Sequence, residues 1–179
     1  MDKWLLFKNS VNDLIKPNQN VKTIKKKWTK ILKDFENYRP IHLFSLLNLL
    51  DEDKQGLKSK ILDHGCGGGT TLFFLASKGY TNIWGIDIGD TQDFIDQINR
   101  CNKVFRIILN TKINIIASYN GKKINFKNSS FDYVFSQQVI EHVKSKLLDS
   151  YISEEKRILK KNGIALHQIP HRLGPFEGH

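Results

Sequence analysis

The segment Ile61-Leu62-Asp63-His64-Gly65-Cys66-Gly67-Gly68-Gly69-Thr70 carries the strongest chemical signal in the chain. An apolar run ends in an acid, and Gly65, Gly67 and Gly69 lead from it into a helical pattern. Glycine at such a corner lets the backbone turn sharply and lets a ligand approach without Cβ atoms in the way. The helix that follows offers free N–H groups and a partial positive charge. Dinucleotides use corners of this kind but prefer Gly-x-Gly-x-x-Gly, and the last position of that pattern is here Thr70. A second signal is Gly85-Ile86-Asp87-Ile88. An acid ending a strand can accept both hydroxyls of a ribose, and the apolar residue after it can lie against a purine.

Two further segments belong with these. Ser129-Ser130-Phe131-Asp132-Tyr133-Val134-Phe135-Ser136-Gln137-Gln138-Val139-Ile140-Glu141-His142-Val143 reads as a strand with polar groups at its end, and Arg157 to Leu166 as helix, turn and strand. The elements that must position them follow from periodicity. Short apolar strands are expected at 60–63, 82–87, 113–117, 131–136 and 163–169. Helices are expected at 71–78, ended by Gly79, at 91 to about 101 with Phe94, Ile95 and Ile98 inward, and at 147–159 carrying Leu148, Tyr151, Ile152 and Ile158. Strands alternating with helices give an α/β fold, a doubly wound and mostly parallel sheet of about five strands. Before it, residues 1–55 read as helices. One is built on Trp4 to Ile15, one spans 21–35 with an apolar stripe of Val21, Ile24, Trp28, Ile31, Leu32 and Phe35, and one is opened by Pro40 over 41–50. The polar run 51–56 marks the boundary with a second region, 56–179.

Composition bounds the rest. The chain has 179 residues, 40% of them hydrophobic, enough for a core and against global disorder. Cys66 and Cys101 are the only cysteines, which argues against a disulfide scaffold and for a reduced, cytoplasmic setting. No apolar run approaches the roughly 20 residues of a membrane span. The net charge of +10 is concentrated in the N-terminal lysines, as on the outer face of 21–35, and reads first as a solvated surface.

Taken together, the four segments resemble the class I S-adenosylmethionine-dependent methyltransferases, in particular the small-molecule branch termed type 11 or type 23. That family shows Leu-Asp-x-Gly-Cys-Gly-x-Gly, then Gly-x-Asp, then Phe-Asp-x-Val-x-Ser-x-x-Val-x-Glu-His, then Arg-x-Leu-Lys-x-Gly-Gly, and this chain carries them in order over about residues 58–170. The resemblance implies a Rossmann-like fold, S-adenosyl-L-methionine as cofactor, and the helices of residues 1–55 as a cap, placed where the family often covers the substrate. Gly65, Gly67 and Gly69, with Cys66 among them, would pack against it. Asp63 would anchor its amino group, Asp87 its ribose and Ile88 its adenine. Asn120 stands where the family often has an acid for the adenine amino group. Ser136 and Gln137 would lie near the methionine end. Cys66 reads as a small packed residue rather than a nucleophile. His64 either faces the site or is a hydrogen-bonded core histidine. Glu141-His142 is expected to begin a helix, with His142 the candidate base for an acceptor hydroxyl or amine. His167, His171 and His179 lack metal-ligand spacing, and no metal is assigned.

The expected acceptor is a small molecule. Ser136-Gln137-Gln138-Val139 stands where enzymes that methylate base amino groups carry Asn/Asp-Pro-Pro-Tyr/Phe, and no Pro-Cys pair exists, so nucleic-acid methylation is disfavoured; an RNA or protein substrate is the alternative. The family sheet normally ends in an antiparallel hairpin, for which no residues follow the fifth strand. That strand would then be an exposed edge open to pairing with a second copy, and a non-catalytic cofactor-binding subunit is the competing reading.

Overall fold

The computed structural model describes residues 2–89, 91–119 and 121–169. Five strands, β1 (Ile61–His64), β2 (Ile83–Asp87), β3 (Ile116–Ser118), β4 (Phe131–Gln137) and β5 (Leu159–Gln168), form one sheet in the order β3-β2-β1-β4-β5. Every pairing is parallel, so the expected doubly wound α/β architecture is present. β1 is buried along its whole length and β4 at every residue but Gln137. Covered on both faces, these strands cannot alternate apolar with polar and read instead as continuous runs. The chain steps outward from β1 to β2 to β3, then returns to the other side of β1 for β4. The crevice at the C-terminal ends of β1 and β4 is where the direction of winding reverses, the place such sheets bind ligands.

The larger core lies on one face, under α4 (Thr70–Ser77) and α5 (Gln92–Ile108). Phe73 and Phe105 stack there with ring centroids 4.0 Å apart. α1 (Lys3–Leu14), α2 (Val21–Asp34) and α3 (Phe44–Glu52) share this core: Phe7 meets Phe74 edge-on at 5.5 Å, and Ile24 and Ile31 of the α2 stripe are buried, whereas Val21 and Leu32 are exposed. The opposite face holds a smaller cluster, Leu62, Ile86, Ile124, Phe131, Val134 and Ile158, with α6 (Ser145–Ile158) over it.

Several boundaries differ from expectation, each for a physical reason. α5 continues past Cys101 to Ile108, burying Cys101, Asn102, Val104 and Phe105. Asn102 hides the pattern because it is polar yet 2% exposed. Its Oδ1 accepts from the main-chain N–H of Ile115 (2.8 Å) and Ile116 (2.9 Å), and its Nδ2 donates to the carbonyl of Ile116 (2.8 Å). The side chain thus bonds the main chain where β3 begins, and β3, expected at 113–117, spans Ile116–Ser118. Ile95, expected inward, is 37% exposed, and Leu148 and Ile152 also face outward while Tyr151, Glu155 and Ile158 meet the sheet. The helix expected at 41–50 is a single 3-10 turn, Ile41–Leu43, followed by α3. β5 starts directly at Leu159, with residues 160–163 bulged out between the pairs Phe131–Leu159 and Tyr133–Ile164. Residues 170–179 lie outside the described residues.

Replacing Asn102 by Ala would leave two buried N–H groups and a carbonyl unpaired. At about 1–3 kcal/mol per orphaned group, the expected loss is roughly 3 kcal/mol or more, read as a lowered urea midpoint with an unchanged slope.

Candidate functional site

The corner after β1 is built from left-handed glycines. Gly65, Gly67 and Gly69 have φ of +90°, +50° and +75°, which residues with a Cβ rarely adopt. A Cβ on Gly65 would lie 2.3 Å from Val139 Cγ2, so this glycine admits the loop after β4. A Cβ on Gly67 would meet nothing within 4 Å, so the corner is open at that point. The amides of Gly65 and Cys66 both donate to the carbonyl of Ile86 (2.8 and 3.1 Å), which folds the turn back on β2. The Cys66 side chain runs into the core beside Gly85. Burial, then the charges of Asp63 and Asp87, push its thiol well up, so it is not a thiolate and serves as packing.

Two carboxylates frame this corner. Asp87 Oδ2 accepts from the Gly67 amide at 2.5 Å. Asp63 is 3% exposed and its carboxyl makes no hydrogen bond among the described residues. Burial first, and the neighbouring Asp87 second, push it up to about 8. A buried acid beside another acid, with no cation to balance it, is an arrangement that a bound cation would relieve.

A cavity of about 600 Å³ opens beside them at the switch point. Asp87, Ile88, Gly65, Gln137 and His142 all line it, so five of the sequence's candidates converge there. Ile88 is 65% exposed on its wall. His142 is exposed at the mouth in a 3-10 turn, Ile140–His142, rather than at the start of a helix; α6 begins at Ser145. Ser136 does not line the cavity; it is buried, 2.7 Å from His167 Nδ1. Gly69 points away, toward Ile116 and Phe105. Asn120 lies outside the described residues. No lining residue comes from α1–α3.

Beneath the cavity runs a polar chain with little local mark in the sequence. His64 is 1% exposed, with Nδ1 2.7 Å from Glu155 Oε1 and Nε2 2.7 Å from the Tyr119 hydroxyl. Its ring stacks on Tyr151 at 4.1 Å. Glu155 Oε2 lies 3.0 Å from His167 Nε2. Burial alone would push the Glu155 carboxyl up, but His167 and His64 together outweigh it and hold the group below its usual range; Glu155 in turn raises His167. His64 is therefore both buried core and cavity floor. Tyr151 is marked in the sequence only as an apolar-face residue of its helix, and nothing local marks Tyr119 or Glu155: the three lie at the end of β3 and on α6, and only the fold assembles them.

The sequence profile of the family described as "Methyltransferase domain" matches residues 62–167, more than half of the chain. The chain belongs to that family. Among curated relatives, a ubiquinone biosynthesis O-methyltransferase of Actinobacillus pleuropneumoniae serotype 7 (strain AP76) is 28% identical over 131 residues, covering 72% of this chain and 54% of the relative. One from Pelagibacter ubique (strain HTCC1062) is 27% identical over 164 residues, covering 86% and 55%. The methyltransferase chain thus spans about half the length of these relatives. Among solved structures, the PH0226 protein of Pyrococcus horikoshii OT3 superposes with a TM-score of 0.53 at 25% identity, over 70% of this chain and 54% of that one. The methyltransferase's cofactor is S-adenosyl-L-methionine, and the site fits it: the corner is open at Gly67, and the uncompensated Asp63 suits a cationic ligand.

The raised Asp63 carboxyl fixes a pH dependence. Between roughly pH 4, where an unfolded aspartate ionises, and about 8, the folded protein holds a proton that the unfolded chain has released. This group's contribution to stability therefore falls as pH rises through that window. Asp63→Asn is expected to flatten the fall, measured as the difference in urea midpoint between pH 5 and pH 8 without ligand.

Proposed function

We propose that this methyltransferase passes the methyl group of S-adenosyl-L-methionine to a small-molecule acceptor, with a hydroxyl as the favoured acceptor group. The observation that carries the reading is the open glycine corner after β1, tied through the Gly67 amide to the Asp87 carboxylate that lines the cavity, with the buried acid Asp63 just before that corner. Asp87 would accept the ribose hydroxyls, Ile88 would cover one face of the adenine, Asp63 would face the amino group, and Gln137 would stand near the methionine end. When bound, the cofactor supplies a methyl group on a cationic sulfur that is already a good leaving group. What remains for the chain is alignment, which can supply several kcal/mol of the barrier, and removal of the acceptor's proton. His142 is the proposed base: it lines the cavity and is exposed, where an acceptor would enter. The O-methyltransferase names of the relatives support a hydroxyl acceptor.

A second reading rests on β5. No strand pairs with its outer edge among the described residues, and an open edge invites a partner strand. In that reading the chain is a cofactor-binding subunit completed by a second copy, and sedimentation at micromolar concentration checks it: a dimer supports it, a monomer dismisses the pairing.

Calorimetry with S-adenosylhomocysteine tests the main reading. The wild type should bind, and Asp87→Ala should weaken binding by about 10- to 100-fold, the range for hydrogen bonds to a charged group. Methyl transfer to a panel of phenols and catechols, scored by mass spectrometry, should fall about 10²- to 10⁴-fold in His142→Ala, the usual share of a general base, with S-adenosylhomocysteine affinity unchanged. Binding without any methylation would favour the subunit reading.

A further inference from the structure

With the His64 imidazole neutral, the chain beneath the cavity allows one direction for its hydrogen bonds. The Glu155 carboxylate can only accept, so His64 Nδ1, 2.7 Å away, must carry the proton and donate. In the neutral imidazole Nε2 is then unprotonated and can only accept, so the group 2.7 Å from it, the Tyr119 hydroxyl, must donate its single proton there. Tyr151, stacked on the ring at 4.1 Å, holds its plane. The second partner of Glu155, His167, lies on the side away from Tyr119 and is the more exposed of the two imidazoles. The Tyr119 oxygen, its proton committed inward, is left with lone pairs alone, and Tyr119 lines the cavity. It stands beside the acid of β2: the Tyr119 amide donates to the Asp87 carbonyl at 3.0 Å.

We propose that Tyr119 is a specificity-determining residue whose hydroxyl, fixed as a hydrogen-bond acceptor by His64 and Glu155, reads an N–H or O–H donor on the nucleoside half of the bound methyl donor. His64 and Glu155 act through it and are positioning residues. The inference rests on the methyl-donor reading above. The donor is either the exocyclic amine of the base or a ribose hydroxyl; a keto or ether oxygen in its place would face the lone pairs of Tyr119 and be rejected.

The experiment is calorimetry at pH 8 with S-adenosylhomocysteine and three analogues: the 6-oxo (inosyl), 2′-deoxy and 3′-deoxy compounds. In the wild type both deoxy compounds also lose a bond to Asp87, so the readout is the change that Tyr119→Phe makes: it should bind the parent about tenfold more weakly, the scale of one net hydrogen bond, and reduce the discrimination against one analogue by the same factor, and which analogue that is names the donor. In His64→Leu the Tyr119 proton is free to turn toward the cavity, so the discrimination should shrink although Tyr119 is intact. Imidazole ¹⁵N spectra of the ligand-free wild type should show His64 protonated at Nδ1. Full discrimination retained in Tyr119→Phe, equal binding of all four compounds by the wild type, or a His64 protonated at Nε2 would each overturn the proposal. A wild type that binds no S-adenosylhomocysteine would overturn the methyl-donor reading, and the assignment of Tyr119 with it.

Discussion

The bond between the Gly67 amide and the Asp87 carboxylate is the point on which the site depends, because it joins the end of β1 to the end of β2. The sheet makes it available. β1 and β2 run parallel with Asp63 opposite Gly85 and His64 opposite Ile86, so Asp87 sits one residue beyond the end of β1, level with the turn that begins at Gly65. The turn reaches back because the Gly65 and Cys66 amides share the Ile86 carbonyl. Gly85 makes room underneath: a Cβ there would lie 2.6 Å from both Cys66 Sγ and Leu72 Cδ1. Three glycines set the backbone path, a fourth lets the path lie close to the sheet, and the acid ties it down.

Much of this was legible in the sequence, and for a definite reason. Buried parallel strands are apolar runs, glycines with positive φ have few substitutes, and an acid ending a strand is visible against an apolar background, so residues 61–69 and 85–88 identified themselves. The N-terminal helices were legible as elements, through the α2 stripe, but not in their placement. They share a core with α4 and α5, whereas the cavity is walled by the ends of the strands and the loop after β4. What stayed hidden was polar and buried. Asn102 interrupts the apolar period of α5 because it bonds main chain at β3 rather than packing. Glu155 lies on the α6 face toward the sheet, where periodicity expects an apolar side chain; two imidazoles from β1 and β5 make its burial tolerable. Periodicity registers such residues as errors in a pattern, since their partners lie 12 to 91 positions away.

The two buried acids near the sheet's C-terminal ends make an instructive contrast. Glu155 is 2% exposed and Asp63 3%, so both lose hydration to a similar degree. Around Glu155 the protein supplies its own compensation, and the carboxyl is held low. Around Asp63 the described residues supply none and add a second acid, and the carboxyl is pushed up to about 8. An uncompensated buried charge is costly to keep, and a fold that has solved the problem on one face of β1 has left it unsolved on the other. Successive residues of a strand point to opposite faces, so Asp63 and His64 carry the two outcomes side by side.

That alternation gives the site its division of labour. The face toward α4 holds the acid and the open glycine turn, suited to a ligand that brings positive charge and hydroxyls. The face toward α6 holds a closed polar chain, Tyr119 to His64 to Glu155, in which a neutral His64 gives each proton one direction. A closed chain of this kind cannot adapt to a ligand without breaking a bond buried in low dielectric. It therefore presents a fixed pattern of donors and acceptors, whereas the uncompensated acid responds by ionising. One strand of four residues thus carries a responsive group and a rigid one side by side, and the glycine after them, Gly65, leaves room for the loop after β4, since a Cβ there would lie 2.3 Å from Val139 Cγ2.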